Sequence, residues 1–373
     1  MNFDLSDEQR LLGDTIDRLI ERDYSFEQRG ACLQEAGGWS RRFWGLLAEQ
    51  GFLALPFDAA HGGLGYGPVE TMLVMEALGR GLVVEPYLST VVVAGSVLRT
   101  AAPDAVLDTL VPAIASGERV LTLAAFEKQA RYDLAAVATT ARADGDGFVL
   151  DGRKILVPHG DSADTIIIAA REAGGPRDRD GISLFLVDAD AAGLTRHGYR
   201  TQDGVPAADL TLEQVRVGSG ALLGEQGRGL PALELARDHA IAALAAEAVG
   251  AMQATLDMTV DYLGQRRQFG GPIGRFQALQ HRAAEMLIEV EQARSMAILG
   301  ALTVAESEAR SRELLAVKHR IGRSGRLVGE LAVQLHGGIG VSAEYAVGHY
   351  LRRLAMIDLS FGDSEHCLEA LAA

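Results

Sequence analysis

The chain has 373 residues, 48% of them apolar, and a net charge of −15. That length favours two or three domains, and that apolar share can bury a large core. The acidic balance argues against nucleic acid or an anionic membrane surface as a partner, while local fields at a site remain free to hold small anions.

In chain order, the first ~115 residues read as helical. Ser6 with Gln9 makes a capping box, and Leu12, Ile16, Leu19 and Ile20 recur on one helical face. Trp44, Leu47, Phe52 and Leu53 indicate a second packed helix and turn. The breaker cluster His61 to Pro68 precedes a helix over Val69 to Leu78 that ends at Gly79; Val91 to Leu98 and Leu107 to Ala115 follow. From about Leu121 the runs become short and β-rich. The turn Asp144-Gly145-Asp146-Gly147 before Phe148-Val149-Leu150 signals a hairpin, and Thr165 to Ala169, Ile182 to Val187 and Thr211 to Val217 are further strands. Strands at this spacing point to a small barrel or sandwich. From about Gly229 the helical pattern returns: Leu230 to Leu263 suits a helix buried on most sides, and Phe276 to Ala305, Glu313 to Leu335 and Tyr345 to Leu354 are helices too. Composition and pattern alone give an α+β chain.

Cys32 and Cys367 match no metal or redox spacing, so free thiols in a reducing compartment are expected and no metal site. Met1-Asn2-Phe3-Asp4 has neither a basic n-region nor an apolar h-region, and no run of ~18 apolar residues occurs, so neither a signal peptide nor a membrane span is expected and a cytoplasmic setting is. No G-x-G-x-x-G after a strand, Walker A, H-E-x-x-H or G-x-S-x-G occurs.

Two stretches carry chemistry. Arg266-Arg267-Gln268-Phe269-Gly270-Gly271-Pro272 breaks a helical pattern that resumes at Phe276-Gln277. Arg, Gln and an aromatic edge on such a turn suit a polyphosphate and its adenosine, although most such turns are ordinary helix connections. Gln334-Leu335-His336-Gly337-Gly338-Ile339-Gly340 pairs glycines that allow close backbone approach and offer amide donors, and that also serve as a helix C-cap.

Together and in this order, these stretches resemble the acyl-CoA dehydrogenase family over nearly the whole chain. The resemblance implies an N-terminal helical domain (1–118), a middle β-barrel domain (119–226) and a C-terminal four-helix bundle (227–373). It implies FAD, with Arg266, Gln268, Phe269 and Gln277 reaching a neighbouring subunit's FAD, and Gln334, Gly337 and Gly338 lining its pyrophosphate and adenosine. It implies α,β-dehydrogenation of an acyl-CoA thioester and electron transfer to an electron-transfer flavoprotein.

That reaction needs a carboxylate to take the α-proton. The two positions where the family places it fall here on Phe361 and Ala240, and neither is an acid. Asp363, Glu365 and Asp238 are nearby acids; Asp363 also reads as a helix cap. The family's flavin and acyl loop corresponds to Phe126 to Asp133, where two acids are kept, Glu127 and Asp133. Asp151-Gly152-Arg153-Lys154 matches well, but the family's Trp-Ile-Thr is Leu156-Val157-Pro158, which lacks the aromatic and the hydroxyl, and Pro158 has no amide to donate. An intact adenosine side with a depleted ring side and base implies a subunit of a heteromeric enzyme. A homotetramer, or a heterotetramer with a related larger subunit, is expected; the alternatives are a catalytically silent structural or acyl-CoA-binding subunit, or a dehydrogenase with a shifted base at Asp363, Glu365 or Asp238.

Overall fold

The computed structural model describes residues 4–306 and 310–372, so the Met1-Asn2-Phe3 start lies outside the described residues. α1 (Asp7–Asp23) opens on the expected capping box: Ser6 Oγ accepts from the Gln9 amide, and Gln9 Oε1 from the Ser6 amide. α2 (Phe26–Cys32), α3 (Arg41–Glu49) and α4 (Pro68–Arg80) follow. The run expected as one helix over Val91 to Leu98 is a π-helical segment, Leu88–Ala94, that continues as α5 (Gly95–Ala101). Its Thr90 hydroxyl both donates to the Leu121 carbonyl (2.8 Å) and accepts from the Leu121 amide (3.2 Å), tying the wide turn to the first strand. α6 (Asp104–Ala115) completes this helical part.

The strands are β1 (Leu121–Ala124), β2 (Thr140–Asp144), β3 (Gly147–Pro158), β4 (Thr165–Arg171), β5 (Ile182–Asp188), β6 (Leu194–Arg200), β7 (Pro206–Gly218) and β8 (Leu222–Leu223). They form one eight-stranded sheet in the order β6-β7-β3-β2-β4-β5-β8, with β1 parallel to β4. The expected β2–β3 hairpin turns between Asp144 and Gly147. The β3–β7 ladder shifts register twice, the second time between Lys154 and Val157. Sequence reasoning missed β6, whose exposed, polar residues give no apolar alternation.

The chain then runs through α7 (Leu230–Gln265), a hairpin of β9 (Arg267–Gln268) and β10 (Gly271–Pro272), α8 (Gln277–Glu306), α9 (Arg310–His336), α10 (Val347–Leu359) and α11 (Ser364–Ala372). α7 is buried without interruption over Ile241–Met252, as its Ala-rich run requires. Cys32 and Cys367 are both buried free thiols. Among the described residues, no helix is long and apolar enough to cross a membrane.

Of the described residues, those within Met1–Gly30, Pro68–Val83 and Ile241–Ala373 form one compact unit, and those within Ala31–Gly67 and Val84–Ala240 another. In the first unit α4 and α7 cross backbone to backbone. A Cβ on Gly79 would stand 2.0 Å from the Glu247 carbonyl oxygen, and one on Gly250 only 1.8 Å from that of Glu76. Carboxylates on both helices are then paired. Arg294 reaches Glu76 at 2.6 Å, and Arg353 grips buried Glu247 with two bonds of 2.5 and 2.8 Å. Gly250→Ala is expected to destabilise by at least about 1–3 kcal/mol, because the obstructing atom is backbone and cannot rotate away. Urea unfolding checks this; a variant within experimental error of the parent would show that the crossing relaxes.

Candidate active site and cofactor surface

At the end of α7 the chain makes a two-residue turn at Phe269 and Gly270, with φ of +52° and +83°. Positive φ at both positions is the I′ geometry that matches strand twist, and a phenylalanine adopts it only at a cost. Phe269 is nonetheless 83% exposed. Its ring meets Phe276 edge-on at 6.1 Å, and Arg275 donates to its carbonyl. Arg266, Gln268 and Gln277 are exposed as well. Arg266 pairs with no carboxylate among the described residues.

At the end of α9, His336 is 3% exposed. It stacks on Tyr262 of α7 at 4.6 Å and leans on Tyr345 at 5.3 Å. Its Nδ1 faces the Ala332 carbonyl (2.8 Å) and its Nε2 the Tyr345 hydroxyl (3.3 Å). A carbonyl only accepts, so Nδ1 carries the proton and Nε2 accepts from Tyr345. This stack joins the two stretches singled out in the sequence. Tyr262 lies one helical turn before Arg266, and His336 lies between Gln334 and Gly337. Gln334, Gly337 and Gly338 are exposed. Gly337 has φ +65°, and a Cβ on either glycine would meet nothing within 4 Å.

Burial is the main cause that lowers the pKa of His336. A buried imidazole kept neutral contributes stability that is present above the ordinary histidine pKa and lost as pH falls through its lower folded value. Stability should therefore decline on acidification from pH 7 towards 5, and His336→Phe should flatten that part of the profile. Unfolding midpoints across this range check it, an unchanged slope counting against the assignment.

The turn between α10 and α11 holds Phe361 at φ +57°. Its half-buried ring packs on Ile241, Ala242, Val304 and Leu314. Lys318, fully buried on α9, donates to the carbonyls of Asp358 and Gly362, both at 2.6 Å, and so fixes both ends of the turn. Burial lowers its pKa to about 8 against the opposing pull of Asp358. Asp358 accepts from the Ser364 amide at 3.0 Å. Asp363 accepts from the His366 amide at 2.7 Å, which caps α11. Glu365 is exposed.

In the other unit, Ala240 is completely buried and so is Asp238, whose Oδ1 accepts from Arg237 at 2.8 and 3.0 Å. Leu156 sits at the second register shift with φ +53°, and its amide donates to Tyr199 Oη and Asp209 Oδ1, both at 3.2 Å. Pro158 has no amide, and its carbonyl accepts from Thr122 at 2.7 Å. Lys154, also fully buried, pairs with Glu127 at 2.6 Å. Glu127 accepts as well from the amides of Ala138 and Thr139. The chain has three lysines in all, so two of the three are buried whole. That scarcity was the signal that could have singled out Lys154 and Lys318, because a fully buried lysine must be paired or bonded.

The family model for the acyl-CoA dehydrogenase N-terminal domain matches residues 6–118, the middle-domain model 122–215 and the C-terminal-domain model 227–373. Benzylmalonyl-CoA dehydrogenase of Aromatoleum aromaticum is 30% identical over 98% of this chain and 97% of its own. The probable acyl-CoA dehydrogenase YngJ of Bacillus subtilis is 28% identical over 98% and 97%. The solved structure of a variant of the Tcur3481-Tcur3483 steroid ACAD superposes with a TM-score of 0.88 at 30% identity, over 98% and 97%. The chain belongs to the acyl-CoA dehydrogenase family, whose members are FAD-dependent oxidoreductases acting on CH–CH bonds of acyl-CoA.

The residues present fit one end of FAD. The unpaired Arg266 and the open glycine pair at Gly337 and Gly338 suit a pyrophosphate and its adenosine. At the other end, the Leu156 amide is already spent and Pro158 has none, so these two residues offer the flavin ring no backbone donor.

Proposed function

We propose that this chain is one subunit of a heteromeric acyl-CoA dehydrogenase and lends the adenosine-side FAD contacts to a related larger chain that supplies the base. The chain resembles the small subunit of pimeloyl-CoA dehydrogenase. One contrast carries it: Phe361 stands at the base position and packs on an apolar cluster, while Arg266, Gln268, Phe269, Gly337 and Gly338 are exposed at one end of the bundle. An exposed phenylalanine on a strained turn is the kind of group a neighbouring chain covers. The nearby acids support the same reading, since Asp363 caps α11, Asp238 is held by Arg237 and Glu365 is exposed.

The assembly is a tetramer in a cytoplasmic setting, its substrate an acyl-CoA thioester, and its acceptor an electron-transfer flavoprotein. FAD, when bound, supplies a hydride acceptor for the β-hydrogen. In this chain Arg266, Gln268, Phe269 and Gln277 would hold the phosphate and adenosine end of FAD, and Gln334 with Gly337 and Gly338 would line its pyrophosphate. The spans of the three matching family models support domain divisions after residues 118 and 226.

Co-expression with a related larger chain tests the proposal. The pair is expected to copurify with bound flavin that acyl-CoA bleaches, and this chain alone to hold no flavin. Bleaching by the isolated chain would show that it carries its own base. A flavin-free pair that still copurifies would make it a silent structural subunit.

A further inference from the structure

We propose that Arg99 and Ser96 on α5 form a binding site for a carboxylate. Arg99 Nη1 is shut off from solvent and has no hydrogen-bond partner among the described residues, and the same holds for Ser96 Oγ. The two residues are three apart on one helix and so share a face. Among the described residues, no acid pairs with the guanidinium. Its carbon lies 5.8 Å from the centroid of the Phe57 ring, and Tyr87 beside it is buried with its hydroxyl donated to the Phe52 carbonyl at 3.2 Å. Thr100, the next hydroxyl on the helix, is spent on the Ser96 carbonyl at 2.7 Å.

A last-turn arginine gains something from the helix dipole, but that leaves the buried N–H unbonded. A cation with no balancing charge and one N–H shut away from water and unbonded is unfavourable on both counts. A carboxylate removes both deficits: its two oxygens match the planar fork of the guanidinium, and the serine hydroxyl donates to the same group. Arg99 as a whole is only partly covered, which leaves the group an approach. The carboxylate has two possible sources: a small free acid, or the far end of a dicarboxylic acyl chain on the thioester. The second rests on the function proposed above.

Calorimetric titration of the full-length chain with adipate, adipyl-CoA and hexanoyl-CoA tests the site. Binding of adipate identifies a free acid as ligand. Preference for adipyl-CoA over hexanoyl-CoA without adipate binding identifies the acyl terminus. In either case Arg99→Met is expected to weaken the carboxylate-dependent part about 10–150-fold, the range for hydrogen bonds to a charged group. Arg99→Met should also melt no lower than the parent in carboxylate-free buffer, since it removes an unbalanced charge. Ser96→Ala provides a second, milder variant, expected to weaken binding less. The site is overturned if the parent neither binds adipate nor prefers adipyl-CoA, or if both variants bind like the parent. Adipate binding that depends on Arg99, with no binding of either thioester by the chain or by its copurified pair, keeps the site and removes the enzyme reading instead.

Discussion

Replacing Lys154 with methionine is expected to destabilise the protein by about 3–5 kcal/mol, because it strands a carboxylate in the interior. Glu127 is 4% exposed and Lys154 not at all. Burial alone would raise the pKa of Glu127, but the adjacent ammonium and the Thr139 amide outweigh it and hold the carboxyl well below the usual carboxylate range. The pair's stabilisation is therefore complete above the ordinary glutamate pKa of about 4.3 and fades as pH falls through the lower folded value. In Lys154→Met the carboxyl has lost its cation and takes up a proton more readily. The gap between parent and variant should narrow on acidification. Urea unfolding at pH 7 and pH 4 measures both gaps; equal gaps would mean that Glu127 finds another partner. Lys154→Met combined with Glu127→Gln should recover part of the loss, as removing both charges is far cheaper than removing one.

Arg266→Gln is expected to weaken flavin retention by the proposed assembly about 10–150-fold, the worth of charge-assisted hydrogen bonds to phosphate. The substitution is on an exposed side chain that pairs with no carboxylate among the described residues, so stability of the isolated chain should stay within about 0.5 kcal/mol of the parent. That separation is the diagnostic point, since a structural arginine would move both quantities. Flavin released on dilution, followed by absorbance, reads the first, and thermal melting of the free chain reads the second. Retention unchanged in the variant would remove Arg266 from the cofactor surface.

Much of this architecture was legible in the sequence because its signals are local. The Ser6–Gln9 box, the Asp144–Gly147 turn and the long Ala-rich run of α7 each depend on residues close along the chain. What stayed hidden depends on distant partners. The polar residues of β6 take their conformation from pairing with β7. The run from Leu88 gives no sign of π-helical turns, which go with a hydroxyl bonded to a strand some thirty residues away. For the candidate site, the Arg266 turn and the Gln334–Gly340 stretch could each be read, but not their meeting through Tyr262 and His336. Nor could the alignment that put Phe361 at the base position show that Lys318 pins the turn around it.

The Gly79–Gly250 crossing also bears on how the chain is made. α4 leaves the ribosome about 170 residues before the α7 segment it must lie against, a wait of roughly 10–30 s at ordinary rates of synthesis. Through that interval α4 can pack on α1, which is already made, but its faces towards α7 and α8 stay uncovered. The opening helices of the nascent polypeptide are thus natural clients for a chaperone, and slower translation would prolong their exposure rather than help them fold.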